Sequence, residues 1–392
     1  MKYPFILPDY KKRSIVNLMS SISHNFGKKH KYAKLNSLSS NELKKSKNIV
    51  LIVIDGLGYN YLKKKKESFL FQHLKSSITS TFLSTTTCAN TVFHVGYPPQ
   101  QHALTGWDIN LKEVGSIVSI LPLAPMYEEG GSLAQSGFDI NQIMDIPSFH
   151  EGLNCECFTL IDSVIAHSSF NNYVSRNTKM VPTASYKNSF TKLKKLILKK
   201  SSARRFIHNY IWEFDSCAHA FGVGSKESHE LFEDLDKRVK NLAKSIKNTS
   251  TRLIIVADHG FIDVSRKTEI WTEDIKGFKD CLTIPLTGES RVRDCFVRPN
   301  KVKDFKKIVK SKMSKYCWCF QGEQLIKDNL YGLGKPNKKL IDRVGDYVLI
   351  MKGKYILRDR LVNQDRAKKF HPGKHGGVSE SEMLVPLIVI DC

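Results

Sequence analysis

Residues 48 to 58, NIVLIVIDGLG, limit what this chain can fold into more than any other stretch. The run from Ile49 to Ile54 is apolar at every position, without the polar alternation of a half-exposed strand. It predicts a strand buried on both faces. Asp55 closes the run, and Gly56 and Gly58 let the backbone turn sharply. A strand covered on both faces needs helices above and below it. That points to an α/β fold with a mostly parallel central sheet flanked by helices on both faces.

The rest of the chain repeats the theme. A second strand is expected over Phe206 to Phe214, ending at Asp215. A helix follows, in which Leu231, Leu235, Val239, Leu242 and Ile246 recur at spacings of three and four. A third apolar strand, Leu253 to Ala257, ends at Asp258 and His259. A last strand, Leu384 to Ile390, follows the turn-rich HPGKHGGVS. Residues 1 to 392 are read as one domain, with the first ~45 residues an irregular arm. The segments 108 to 200 and 262 to 370 fit the central sheet less well, and about 262–370 is read as a cap or insertion over the active face.

Composition narrows the setting. The formal net charge is +23, from 61 Lys+Arg against 38 Asp+Glu. A surface of solvated lysines explains most of this excess, Lys63 to Lys66 included, yet the positive field would still draw anionic substrates inward. No apolar run reaches the length of a membrane span. The first residues lack the apolar core of a secretory signal. Nine cysteines without such a signal suit reduced thiols and a cytoplasmic location.

In open α/β sheets, ligands gather beyond the carboxyl ends of the strands. Asp55, Asp215 and Asp258 all fall there, with His219 and His259 close behind and His375 in the turn before the last strand. Carboxylate oxygen and imidazole nitrogen are ligands of hydrolytic Zn²⁺ and Mn²⁺, and six such groups suffice for two divalent metal ions with positions left open. Singly, each has a plainer reading. A strand-ending Asp is commonly a helix N-cap, and a lone His is more often structural than a ligand. The weight lies in the combination and its order.

In that order the chain resembles the alkaline phosphatase superfamily, in particular its type I phosphodiesterase / nucleotide pyrophosphatase-like branch. The stretches that carry the resemblance are VIDGLG at 53 to 58, STFLSTTTCANT at 80 to 91, GYPPQQHALTG at 96 to 106, FDSCAH at 214 to 219, ADHG at 257 to 260 and KHGGVS at 374 to 379. The resemblance spans residues 50 to 390. The resemblance implies that Asp215, His219 and His375 hold one metal and that Asp55, Asp258 and His259 hold the second, which also binds the nucleophile's oxygen. It implies Thr86 as that nucleophile, counted back from Gly96 and His102, with Thr85 and Thr87 adjoining it. It further implies a phospho-threonine intermediate and a small anionic phosphoester substrate of nucleotide type.

Two positions depart from the family pattern. Leu83 stands where these enzymes often carry Pro. Trp107 stands near where the nucleotide-cleaving members place an oxyanion-binding Asn, a role for which Asn90 and Asn110 are candidates. Arg291 and Arg293 are weaker candidates for contact with a substrate phosphate, Trp107 and Tyr59 for stacking on a base, and His371 for supporting a metal ligand, each with surface or packing as its plainer reading. A phosphomonoesterase or phosphomutase of the same superfamily would use the same site. The sulfatase pattern is absent around Cys88. From another class, a basic polyanion- or nucleic-acid-binding protein with a degenerate metal site would use the +23 charge but leaves the Asp and His set without a purpose.

Overall fold

The computed structural model describes residues 3–126, 131–360 and 370–392. Seven strands form the central sheet: β1 (Asn48–Ile54), β2 (Leu74–Thr79), β3 (Glu156–Asp162), β4 (Lys179–Thr183), β5 (Arg205–Ile211), β6 (Thr251–Val256) and β7 (Leu384–Asp391). Their order across the sheet is β2-β7-β6-β1-β5-β3-β4. β1 lies at the centre, parallel to β5 on one side and to β6 on the other. Every residue of β1, β5 and β6 is buried, as the apolar run of β1 requires. β3 and β4 extend the parallel set. β7 runs antiparallel to both β6 and β2, so the sheet is mostly, not wholly, parallel.

Four helices matter for the site: α1 (Ile15–Asn25), α2 (Thr86–Val95), α3 (Glu213–Phe221) and α4 (Lys226–Ser245). α4 buries Leu235, Val239 and Leu242 as expected from the sequence, with Phe232 in place of the expected Leu231, which is only partly buried. α1 corrects the expectation of an irregular N-terminal arm. Its Ile15, Val16, Leu18, Met19 and Ile22 join the core that contains β1. Four polar residues hid the period, and all four are buried and bonded. Asn17 donates to the carbonyls of Tyr10, Lys11 and Ala33. Ser20 and Ser23 donate to the carbonyls of Tyr32 and Lys28, and Ser21 accepts from the Leu35 amide. They staple the following loop onto the helix, so their polarity marks tertiary contacts rather than a solvent face.

A second seven-stranded sheet is antiparallel at every pairing. Three of its strands, Asp108–Leu111, Ser116–Ser119 and Ala124–Pro125, precede β3 in the chain. The other four, Thr287–Glu289, Val292–Cys295, Cys317–Gln321 and Tyr347–Met351, come from within 262–370. Of that stretch, 361–369 lie outside the described residues. The two parts join where Gly288 pairs with Asp108.

Candidate metal centre

Each site residue owes its place to a local break in regular structure. β1 ends at Ile54, and Gly56 takes φ +76°, a left-handed turn that puts Asp55 at the sheet's carboxyl edge. The glycines of the two strand-end motifs touch: a Cβ on Gly58 would stand 2.8 Å from the Gly260 Cα. Side chains there would push β1 and β6 motifs apart. β5 stops at Ile211, three residues short of the sequence expectation, because Trp212 already has helical dihedrals (φ −97°, ψ −10°). Asp215 therefore lies in the first turn of α3, not at a strand end. His219 follows one helical turn later, on the same face. Thr85 is the N-cap of α2, and Thr86 is its first residue.

The six Asp and His residues converge. One donor atom from each of Asp215, His219 and His375 falls within a 4.8 Å group, and so does one from each of Asp55, Asp215 and His259. His219 and His375 approach at 3.0 Å between their Nε2 atoms, and Asp215 Oδ1 lies 3.5 Å from the first and 3.7 Å from the second. On the other side, His259 Nε2 lies 3.3 Å from Asp55 Oδ1 and 3.5 Å from Asp258 Oδ2. Asp258 thus stands beside the second group through His259, and Asp215 borders both.

The surroundings orient the ligand atoms of His219, His259, Asp55 and Asp258 inward. His219 Nδ1 faces the Gly373 carbonyl at 3.0 Å and His259 Nδ1 the Gly260 carbonyl at 3.2 Å. Each carbonyl selects the tautomer with hydrogen on Nδ1, which turns the Nε2 lone pair to the cluster. The carboxylates show the same division. Tyr210 donates its hydroxyl to Asp55 Oδ2, while the amides of Gly56 and His259 donate to Asp258 Oδ1. Asp55 Oδ1, Asp215 Oδ1 and Asp258 Oδ2 are buried with no hydrogen-bond partner among the described residues. Buried acceptors without donors are costly unless a cation meets them.

The electrostatics agree. Burial, then the charges of neighbouring carboxylates, holds Asp55 and Asp215 far above the ordinary carboxylate range. Burial lowers His219 to about 3 and pushes His259 and His375 down as well. The imidazoles are therefore neutral, the form that binds a metal, while a dication would offset the carboxylate repulsion. The donor set fits divalent ions of the Zn²⁺ or Mn²⁺ type.

Three threonine hydroxyls stand at the head of α2, and only one meets the cluster. Thr86 Oγ1 lies 3.2 Å from His259 Nε2. Thr85 turns away and donates to Glu289 Oε1 at 2.6 Å. Thr87 is fully buried, its hydroxyl without a partner among the described residues.

A cavity of about 580 Å³ opens over Thr86, Asp215, His219 and His375. The second sheet supplies much of its wall, including Glu289 and Arg293, with Trp107 just before its strand Asp108–Leu111. Of the Asn candidates, Asn110 lies on the strand Asp108–Leu111 beside a different cavity, and Asn90 is buried in α2 without lining this one. His371 lines the cavity, and Tyr59 does not. Arg291 is a structural residue: it is buried and forms a two-pronged ion pair with Glu382, at 3.0 and 3.1 Å. Tyr210 and Glu289 lie outside the motif stretches, and Lys374 lies inside KHGGVS beside His375 but is not among the ligands expected from that motif.

The family model for type I phosphodiesterase / nucleotide pyrophosphatase matches residues 49–377. Among solved structures, murine ectonucleotide pyrophosphatase / phosphodiesterase 5 is similar with a TM-score of 0.63 and 16% identity, over 86% of this chain and 87% of that one. The human protein of the same name gives a TM-score of 0.63 and 16% identity over 87% of both chains. An inactive threonine-to-alanine variant of the murine protein in complex with AMP gives a TM-score of 0.62. At that identity the likeness is one of fold. No curated protein matches the chain in sequence.

Proposed function

Because the chain belongs to the type I phosphodiesterase / nucleotide pyrophosphatase family, and is therefore a phosphoric ester hydrolase, we propose that it cleaves nucleotide-type phosphodiester or pyrophosphate bonds through a phospho-threonine intermediate on Thr86. The observation that carries this reading is the contact between Thr86 Oγ1 and His259 Nε2, at the head of a helix and against donor-free carboxylates.

Two divalent ions, Zn²⁺ or Mn²⁺, when bound, would supply the positive charge that activates the nucleophile and stabilises the leaving oxygen. Asp215, His219 and His375 would hold one, and Asp55, Asp258 and His259 the other, with the Thr86 oxygen beside it. The protein's own part is placement. The first amides of α2 have no partner inside the helix and point toward an anion at its N-terminus. The cavity floor presents the Thr86 hydroxyl to the phosphorus on that side. The attack forms the Thr86 Oγ1–P bond and breaks the P–O bond to the leaving group; water then hydrolyses the phospho-threonine and frees Thr86. The inactive threonine-to-alanine variant of the murine protein, seen with AMP, supports both the threonine and the nucleotide for this chain.

The test is hydrolysis of a chromogenic phosphodiester beside the matching monoester, with added Zn²⁺ or Mn²⁺. Diester turnover that chelation abolishes, and that Thr86→Ala lowers about a thousand-fold or more, is expected. Undiminished turnover in Thr86→Ala would remove the threonine from the mechanism. Faster monoester turnover would move the protein to the phosphatase side of the superfamily.

A further inference from the structure

The amino end of the parallel sheet carries charge that the site at the carboxyl end does not use. β1, β5 and β6 begin side by side: Asn48 pairs with Arg205 on one flank and with Thr251 on the other. The segments leading into them are therefore neighbours. The Lys47 amide donates to the Ser250 carbonyl at 2.7 Å, and the Ser250 hydroxyl donates to the Lys45 carbonyl at 3.2 Å. The Lys47 ammonium donates to the Ser201 carbonyl. The three segments read KKSK at 44 to 47, KKSSAR at 199 to 204 and KSIKNTS at 244 to 250. Parallel pairing thus gathers six exposed lysines on one edge: Lys44, Lys45, Lys199, Lys200, Lys244 and Lys247.

The three segments contain no acidic residue. Among the described residues none of the six ammonium groups enters an ion pair, because the acids near this edge are taken. Glu42 pairs with Lys75, Glu156 with Lys179 and Arg205, and Asp391 with Arg252. Helix ends explain part of the cluster. Lys44, Lys199 and Lys244 lie at the C-termini of the helices Ser40–Lys44, Tyr186–Leu198 and α4, where a cation meets the helix dipole. Each end carries a second lysine beside the first, which like-charge repulsion disfavours unless an anion lies opposite. Steering of substrate does not account for them. The seven residues of β1 put about 23 Å between this edge and Asp55. That is more than two screening lengths at physiological salt, each about 8 Å.

Composition selects among polyanions. Nucleic-acid surfaces rely on open arginine forks and on aromatic rings that stack on bases. The arginines of this edge are spent inside the protein. Arg204 donates to Asn25 and to the Ser46 carbonyl, Arg205 to Glu156 and the carbonyls of Leu196 and Lys199, and Arg252 to Asp391. The three segments hold no aromatic residue. What adjoins the lysines is aliphatic: Leu198, just before Lys199 and Lys200, is 48% exposed. Flexible ammonium groups around an aliphatic side chain suit an anionic bilayer, whose headgroups meet the charge and whose interface takes the apolar group.

We propose that the amino edge of the parallel sheet is a docking surface for bilayers that contain anionic lipid, held by these six lysines with Leu198 at the interface. Docking is independent of the chemistry at Thr86. It localises the protein on the bilayer and leaves the cavity, at the opposite end of the sheet, open to solution.

The full chain is mixed with vesicles of phosphatidylcholine alone or of phosphatidylcholine with phosphatidylserine, at physiological salt, and the bound fraction is measured by sedimentation. The wild type should bind the mixed vesicles and stay in solution with the neutral ones. Equal binding to both kinds, or to neither, would overturn the docking surface. Each lysine near an anionic surface raises binding about five-fold, so Lys45→Gln/Lys200→Gln/Lys247→Gln should lower the partition coefficient about a hundred-fold, at an unchanged melting temperature. Lys303→Gln/Lys307→Gln/Lys310→Gln removes the same charge from exposed positions between two strands of the second sheet. It should lower the coefficient less than about three-fold, since the attraction falls off within a screening length. Equal losses in the two triple variants would assign binding to net charge and overturn the edge. Thr86→Ala should bind as the wild type does; a loss there would trace binding to the phosphoester site instead. Tighter binding to duplex DNA than to the mixed vesicles, abolished in the edge variant, would make nucleic acid the partner and overturn the lipid.

Discussion

Thr86 is one of three consecutive threonines, and what separates them is a single direction per residue. The helix start turns Thr85 toward Glu289 and Thr86 toward His259. Tyr210 acts at the same scale. Its hydroxyl holds one oxygen of Asp55 and leaves the other to the cluster. Tyr210→Phe should lower metal affinity about 10–100-fold with the fold intact, measured by competition with a chromogenic chelator; unchanged affinity would make Tyr210 a packing residue only. Asp294, away from the ligands, is buried, and burial pushes its carboxyl up to about 7. The folded state therefore holds its proton up to that pH, while the unfolded chain releases it near 4. The stability it contributes is fully present below about 4 and is lost as pH rises through 7, by up to about 1.4 kcal/mol per pH unit. Denaturant midpoints of Asp294→Asn should thus gain on the wild type between pH 5 and pH 8. A gap independent of pH would contradict the raised value.

At the scale of elements, two similar residues can end in different surroundings. Arg291 lies just before the strand Val292–Cys295 and Arg293 lies within it. Arg291 turns inward to Glu382, which also accepts the Gly377 amide at 2.9 Å, two residues from His375. Arg293 turns to the cavity. Strand periodicity alone would put the two arginines on one face; that Arg291 is buried against Glu382 while Arg293 lines the cavity is decided by the tertiary contacts of each. Breaking the buried pair leaves Glu382 uncompensated. Arg291→Met should cost about 3–5 kcal/mol in urea unfolding, and a loss below about 1 kcal/mol would show the pair to be screened. At α3 the i, i+4 spacing of Asp215 and His219 is legible in sequence, but the helix start is not. A strand running on to Phe214 and one ending at Ile211 bury similar apolar residues, and only the turn at Trp212 separates them. α1 was missed for the opposite reason, its buried serines and Asn17 imitating a loop.

At the scale of the whole molecule, the site lies where the carboxyl edge of the parallel strands meets the antiparallel sheet. That sheet draws on segments more than 150 residues apart in sequence, joined at the Asp108–Gly288 pairing. The metals would tie β1, α3, the β6 end and the turn before β7 to one another. Their removal should therefore lower the melting temperature by a few °C, reversed by adding Zn²⁺ or Mn²⁺, since a ligand at 100 times its dissociation constant stabilises by about 2.7 kcal/mol. A melting temperature indifferent to chelator would count against metal as a structural tie. Local chemistry by itself determined the strands β1, β6 and β7, helix α4, the mostly parallel sheet and the six Asp and His residues. Each depends on apolar runs, helical spacing and the small residues that end a strand. Tertiary structure alone decided which threonine faces His259, that Tyr210 orients Asp55, that Arg291 is buried while Arg293 and Lys374 face the cavity, and that two distant segments build one wall. Those outcomes depend on which surfaces meet, and the periodicity of a segment carries no record of its partner.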